Sequence, residues 1–276
     1  MLNSMLANPN IRVRQSDFDP RLSVLKYKKQ VFYKDTWTPE LENARGLVIA
    51  DDKIVAYPFT KIYNYGIEKR APKFASNEPL VVQRKVNGFM AAVSLWDGHP
   101  LVSTTGSVDS DFVGYVLDFL DHKAALKVLE QFPHYTFMFE CVHPSDPHII
   151  EEEPGLYYLG CREKTFGSAI HVGTERLADA FGAHFVESFT AKIEEVQELA
   201  KVAKHEGYVM YAKDGRAAKI KSPYYLTSKW LARGNKPVSR ERVEEEFYPL
   251  LEAITPEFYY EFSEQQRLSF IKDFYS

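Results

Sequence analysis

One amine in this chain stands where it could serve as a nucleophile. In the stretch VVQRKVNGFMAAV, Val81 to Val93, Lys85 lies two residues before Asn87-Gly88. Asn-Gly between two strand-like runs predicts a hairpin, because both residues tolerate positive φ. Lys85 is then either a solvated lysine beside a turn or a nucleophile held beside a nucleotide pocket, and the local stretch leaves both open. Other short polar words stand on or beside strand-like runs. They are Arg45-Gly46, FTKIYN from Phe59 to Asn64, FMFE ending at Glu140, EGYVM beginning at Glu206, and KIKS from Lys219 to Ser222. Each has a plain structural reading. Glu140 can end a strand at the surface. Glu206-Gly207 can be a helix end followed by its left-handed glycine. Lys219 and Lys221 point the same way from one strand and can be its solvated face.

Several chemistries are missing. The chain has no GxxxxGK[ST] phosphate loop, no GxGxxG, no HExxH and no GxSxG. His143 and His148 in HPSDPH fit exposed histidines of a proline-rich turn better than a metal pair.

The elements that must position these residues follow from periodicity and turn chemistry. Leu22 to Tyr33 alternates like a strand or a pair of strands. Asp51-Asp52 predicts a hairpin within Arg45 to Tyr57. Val81 to Trp96 reads as a hairpin about Asn87-Gly88, and Asp97-Gly98 turns into a strand at Pro100 to Thr104. Phe112, Val116, Phe119, Leu120, Leu126 and Leu129 give Ser110 to Phe132 a helical period. Strands are expected at His134 to Val142 and Leu156 to Cys161, and helices at Glu175 to Phe181 and Ile193 to His205. Gly207 to Tyr211 and Ala217 to Lys221 read as strands turning at Asp214-Gly215. Beyond Gly234, two helices are expected, Ser239 to Ile254 and Pro256 to Tyr275, each opened by a Ser or Thr cap. Antiparallel hairpins without βαβ alternation indicate an α+β fold. The change of character divides the chain into a main domain, 1–234, and a small helical C-terminal domain, 235–276.

Composition sets outer bounds. The 276 residues are 45% apolar and 26% charged, ordinary for a soluble globular protein. No apolar run approaches the ~20 residues of a membrane span, and the N-terminus lacks the apolar core of a signal peptide. Cys141 and Cys161 are too few for a disulfide framework and too far apart for a zinc pairing, so a reducing cytoplasm is expected. The net charge is −4, and the stretch from Arg240 onward holds nine acids against four bases. The remainder is near neutral, so bulk charge shows no basic groove.

Taken in order, the polar words resemble the motifs of the covalent nucleotidyltransferase superfamily, which includes DNA ligases, RNA ligases and capping enzymes. Lys85 to Gly88 matches its KxxG motif, followed by FMFE, YYLGCR, EGYVM and KIKS. ARGLVIADDKIVAYPFTKIYN resembles the upstream element of the bacteriophage RNA ligase 1 and fungal tRNA ligase type, and STTGS, Ser103 to Ser107, resembles its T-x-GS word. The resemblance covers roughly residues 22–230. DNA ligases and capping enzymes usually carry Asp and Arg where this chain has Asn87 and Met90, which favours the tRNA-ligase branch.

The resemblance implies a nucleotidyltransferase (adenylyltransferase) fold of two packed antiparallel sheets with flanking helices, nucleotide between the sheets, and a small helical appendage. It implies an ATP-dependent RNA ligase acting on RNA 3′-hydroxyl and 5′-phosphate ends, in repair of single-stranded or tRNA-loop breaks, with end-healing kinase and phosphatase supplied in trans. Lys85 would carry AMP. Lys219 and Lys221 would balance charge on the α-phosphate and help release the proton of Lys85, whose ordinary pKa is near ~10.4. Glu140 would hold the ribose or order water on Mg²⁺ (or Mn²⁺), and Glu206 would orient the amine or the hydrated metal. Arg45 and Lys61 would grip the β- and γ-phosphates or the incoming 5′-phosphate. Asn64, Arg84, Gly88 and Tyr157 complete the expected nucleotide contacts, with Tyr158 and Tyr63 as other tyrosines that could stack on adenine. Two alternatives stand beside this reading: a DNA or nick-sealing ligase, and a non-catalytic RNA- or nucleotide-binding protein on a ligase scaffold.

Overall fold

The computed structural model describes residues 1–275. Its strands, in chain order, are β1 (Ile11–Gln15), β2 (Leu22–Tyr27), β3 (Arg45–Ala50), β4 (Lys53–Ala56), β5 (Tyr63–Asn64), β6 (Leu80–Arg84), β7 (Phe89–Trp96), β8 (His99–Thr104), β9 (Tyr135–Val142), β10 (Gly155–Glu163), β11 (His171–Val172), β12 (His184–Phe185), β13 (Ser188–Ala191), β14 (Gly207–Tyr211) and β15 (Ala217–Lys221). They form three sheets, and the chain divides into two compact units.

The first unit comprises Met1–Ile62, Gly88–Asp146 and Glu153–Ser188. It holds the four-stranded meander β1-β2-β3-β4 and a larger sheet ordered β11-β10-β9-β7-β8, with β12 alongside β10. Alternate residues of the larger sheet, among them Val93, Phe137, Phe139 and Leu156, meet Val116, Leu129 and Phe181 from three helices in one buried core. Leu22, Val24, Val48 and Ala50 of the meander bury against Leu101 and Val108 in another.

The second unit comprises Tyr63–Asn87, Pro147–Glu152 and Phe189–Ser276. Its sheet runs β13-β6-β14-β15-β5, with β14 antiparallel to both β6 and β15 and β5 parallel to β15. Leu80, Val82, Met210 and Ala218 of the sheet pack on Val196 of the helix Ile193–Val202. The helix Pro223–Arg233 was not anticipated. It starts where Ser222 Oγ accepts the Tyr225 N–H at 3.0 Å and Pro223 fills the first helical position, which needs no donor. Its Leu231 packs with Leu250, Phe258, Tyr259 and Ile271 of the C-terminal segment.

Several local expectations need correction. Asn87-Gly88 does not close a hairpin. The strand before it, β6, pairs with β14, while β7 after it pairs with β8 and β9. Neither Asn87 nor Gly88 has the positive φ of a primed turn, and the boundary between the two units falls between them. Leu22 to Tyr33 is one strand followed by the helix Lys29–Lys34, so its second half is not β. The helical period of Ser110 to Phe132 is split into Asp111–Leu117 and His122–Gln131, because the Asp121 carboxylate accepts the N–H groups of Lys123 and Ala124 and starts a new helix. Ser239 to Ile254 is two 3₁₀ turns and the short helix Tyr248–Ala253, and Pro249 fits only in that helix's first turn. Pro256 to Tyr275 breaks into Pro256–Tyr260 and Glu264–Phe274, the latter opened by a capping box between Ser263 and Gln266.

Candidate active site

In the second unit, three charged side chains from three places in the sequence converge. Lys85 follows β6 directly, and its N–H donates to the Gly207 carbonyl at 2.8 Å, extending the β6–β14 ladder by one step. This sets Lys85 beside Glu206, the residue just before β14. On the other flank of β14, Gly207 pairs with Lys221 of β15. The register therefore brings both lysines to one carboxylate. Lys85 Nζ lies 3.0 Å from Glu206 Oε2, and Lys221 Nζ lies 3.0 Å from Oε1. Asn87 Nδ2 donates to Oε2 at 2.8 Å, and Asn87 Oδ1 accepts the Ile150 N–H at 2.9 Å.

Glu206 is only 3% exposed, so its charge is tolerated only because it is paired. Burial pushes its carboxyl up, but the Lys85 and Lys221 ammoniums outweigh that and hold it below the usual range. Two cations share this one anion, so the trio carries net +1 when all three groups are charged. Lys221 also lies 4.6 Å from the Tyr225 ring centre. Burial, then the charges of Lys221 and Arg233, hold the Lys229 ammonium below its ordinary value.

Around this trio the same unit places three other expected residues. Lys219 is half-buried on β15 and pairs in register with Asn64 of β5. Asn64 donates from Nδ2 to Glu68 Oε2 at 2.6 Å, and its buried Oδ1 has no hydrogen-bond partner among the described residues. Arg84 is tied to Glu152, with Nη1–Oε1 at 2.8 Å. Burial and Arg84 together lower the pKa of His205, whose Nδ1 accepts the Gly207 N–H at 3.2 Å.

The first unit holds the rest. Glu140 sits within β9, flanked in register by Met90 of β7 and Tyr157 of β10. It does not end a strand at the surface: it is 8% exposed, and its Oε1 accepts the Gly88 N–H at 3.2 Å. A Cβ on Gly88 would stand 2.2 Å from the Cys141 carbonyl oxygen, so only glycine admits this approach. Tyr157 stacks on His184 with ring centres 4.6 Å apart, and its hydroxyl donates to the Glu153 carbonyl at 2.9 Å. Tyr158 lies wholly inside the core against Phe139 and Phe181, while Tyr63 is buried on β5 in the second unit. Arg45 Nη1 donates to the Thr60 carbonyl at 3.1 Å, and Lys61 Nζ lies 5.2 Å from the Trp37 ring centre.

Sequence reasoning passed over Asn87 and Glu152. The signal for Asn87 was present, but its side chain was read as turn chemistry rather than as a bridge between Glu206 and Ile150. Nothing local marks Glu152, which is one acid in a run of three.

The sheets have the nucleotidyltransferase architecture, and in the second unit two lysines converge on a buried carboxylate. A family model described as RNA ligase matches residues 43–225, about two thirds of the chain, and the chain belongs to that family. It is thus a ligase-class enzyme. An archaeal ATP-dependent RNA ligase, in its first form, is 20% identical over 99% of this chain and 74% of its own, with a TM-score of 0.60. The second form gives 19%, 98%, 75% and 0.60. A putative ATP-dependent DNA ligase from Aquifex aeolicus is 17% identical over 100% of this chain and 72% of its own, with a TM-score of 0.56. At these identities the likeness is one of fold, and it bears out the α+β nucleotidyltransferase architecture. No described residues group three or more His, Cys, Asp or Glu side chains as a metal site, and no described helix is long and apolar enough to cross a membrane.

Proposed function

We propose that the chain is an ATP-dependent RNA ligase that works through a covalent lysyl-AMP intermediate on Lys85. The observation that carries this reading is the Lys85–Glu206–Lys221 trio. Binding alone requires no amine held at 3.0 Å from a buried carboxylate that a second lysine shares. In the first step a neutral Lys85 Nζ attacks the α-phosphorus. An N–P bond forms, the P–O bond to pyrophosphate breaks, and pyrophosphate leaves. The AMP then passes to an RNA 5′-phosphate, and a 3′-hydroxyl displaces it to join the strands.

Within this proposal Glu206 fixes the position of Lys85 and balances the two lysines. Both its oxygens are engaged by ammonium groups, so a metal ion would be met through water. Magnesium, which keeps several waters and is often brought by substrate phosphates, suits such a donor set. Lys221 and Lys219 would offset charge on the α-phosphate as it is attacked. The unpartnered Oδ1 of Asn64 offers an acceptor to a nucleotide hydroxyl or amine. The resemblance further assigns ribose or metal-water contacts to Glu140, phosphate contacts to Arg45, Lys61 and Arg84, and base stacking to Tyr157. Its substrate would be broken single-stranded or tRNA-loop RNA whose ends other proteins have healed.

The test is intact mass spectrometry of the purified chain with and without ATP and Mg²⁺. A gain of one AMP, mapped to the peptide containing Lys85, is the expected result. An adduct elsewhere removes Lys85 from its role, and no adduct in the presence of either Mg²⁺ or Mn²⁺ removes the ligase mechanism. A panel of nicked RNA, DNA and hybrid duplexes and of single-stranded RNA then reads strand preference.

A further inference from the structure

The four-stranded meander of the first unit carries a row of like charges that its own stability does not explain. Arg12 of β1 pairs in register with Lys26 of β2, and Lys26 pairs with Arg45 of β3. Residues directly opposite each other across antiparallel strands share a face, and like charges in those positions are destabilising. The last pairing exists only because the ladder slips. Leu25 faces Leu47, the next residue Lys26 faces Arg45, and Gly46 is the extra residue of a β-bulge with φ +90°. The bulge brings the arginine into the row.

Two of the row's three members are also uncompensated. Neither Arg12 nor Lys26 has a hydrogen-bond or carboxylate partner among the described residues, and both are exposed. Lys26 Nζ lies 3.1 Å from where a Cβ on Gly106 would stand, so the ammonium runs close along the Gly106 backbone. Desolvation, then the charges of Arg45, Arg12 and Lys29, hold the Lys26 ammonium below its ordinary value. A Thr or Glu in place of Lys26 would relieve the repulsion across the strands.

We propose that the Arg12–Lys26–Arg45 row is a binding track for the phosphodiester backbone of the RNA substrate. This rests on the ligase reading. Across two strand spacings the row extends roughly 10 Å. It runs outward to the edge strand β1, a layout suited to successive single charges along a strand rather than to the compact polyphosphate of one nucleotide.

The experiment uses the full chain and a fluorescent 5′-phosphorylated single-stranded RNA, without ATP, across about 50 to 200 mM salt. In the double variant Arg12→Ala, Lys26→Ala, binding should weaken about tenfold, and the slope of log affinity against log salt should shrink by about 1.4, for two lost phosphate contacts. Lys26→Arg should bind like the parent. Removing opposed like charges should leave the double variant at least as resistant to thermal unfolding, which separates lost binding from lost fold. Labelled-AMP adduct formation should keep its ATP half-saturation. Unchanged RNA affinity and slope would overturn the proposal. So would a raised ATP half-saturation with RNA binding intact, which would assign the row to the nucleotide polyphosphate. Absence of any adduct in the parent protein would instead remove the ligase mechanism, and the binding arm would still read the row.

Discussion

Lys85 and Glu206 meet with 3.0 Å between Nζ and Oε2, in a carboxylate site that is 3% exposed. The pair is not isolated. Lys221 occupies the other oxygen, and Asn87 donates to the one that Lys85 approaches. An amine intended as a nucleophile needs a fixed direction and a route to its neutral form. The shared carboxylate supplies the first, holding the Lys85 amine at 3.0 Å.

Glu206→Gln should therefore damage both fold and chemistry. The amide cannot balance two ammoniums, and removing one partner of a buried pair costs about 3 kcal/mol. The rate of AMP-adduct formation should fall about 100-fold or more, read by single-turnover labelling. Adduct formation at the parental rate would show that Glu206 has no part in setting up Lys85.

Asn87→Ala leaves the Ile150 N–H without its acceptor and removes one of the three donors to Glu206. Stability should drop by about 2 kcal/mol in denaturant unfolding, the cost of leaving buried polar groups unmade. Asn87→Asp should be worse for adduct formation than Asn87→Ala, because it sets a second carboxylate against Glu206. The reverse order would mean that the Asn87 contact is incidental.

Gly88→Ala tests a close approach rather than a charge. The added methyl would stand 2.2 Å from the Cys141 carbonyl oxygen and 2.9 Å from its carbon, both backbone atoms that cannot swing aside. The cost should be about 3 kcal/mol or more, with loss of the Glu140 contact to the Gly88 N–H. A thermal midpoint equal to the parent's would contradict the packing described.

Lys164 gives a pH signature unconnected with the site. Its Nζ donates to the carbonyls of Leu95 and Pro133 at 3.1 and 2.9 Å, and burial lowers its pKa to about 8. The folded value lies below the unfolded one, so between about 8 and the ordinary lysine range the unfolded chain binds the extra proton. Stability linked to this group therefore rises with pH across that window, and the penalty is fully present below it. Relative to Lys164→Met, the parent should gain on the order of 2 kcal/mol between pH 8 and 10. Parallel stability profiles for the two proteins would refute this.

Much of the local structure was legible. The strands Gly207–Tyr211 and Ala217–Lys221 and the helix Glu175–Phe181 stand as their turn residues and periods indicate, because each is bounded by signals within a few residues of itself. The hairpins at Asp51-Asp52 and Asp97-Gly98 hold for the same reason. Asn87-Gly88 carries an equally strong turn signal and does not form the turn. Its flanking strands find better partners elsewhere, β14 for one and β9 for the other, and long-range pairing outweighs a two-residue preference.

The sequence alone determined the order of polar words, and with it the family, the α+β class and the lysine to examine. Those are properties of residue type and spacing, which the chain carries wherever it goes. Only the tertiary structure decided which charges meet. Asn87 reaches a carboxylate 119 residues away, and Arg12, Lys26 and Arg45 form a row only through the register of three strands and one bulge. A charged side chain does not encode its partner locally. The partner is set by which strands pair and in what register, and that is fixed by burying the apolar faces of the whole chain at once.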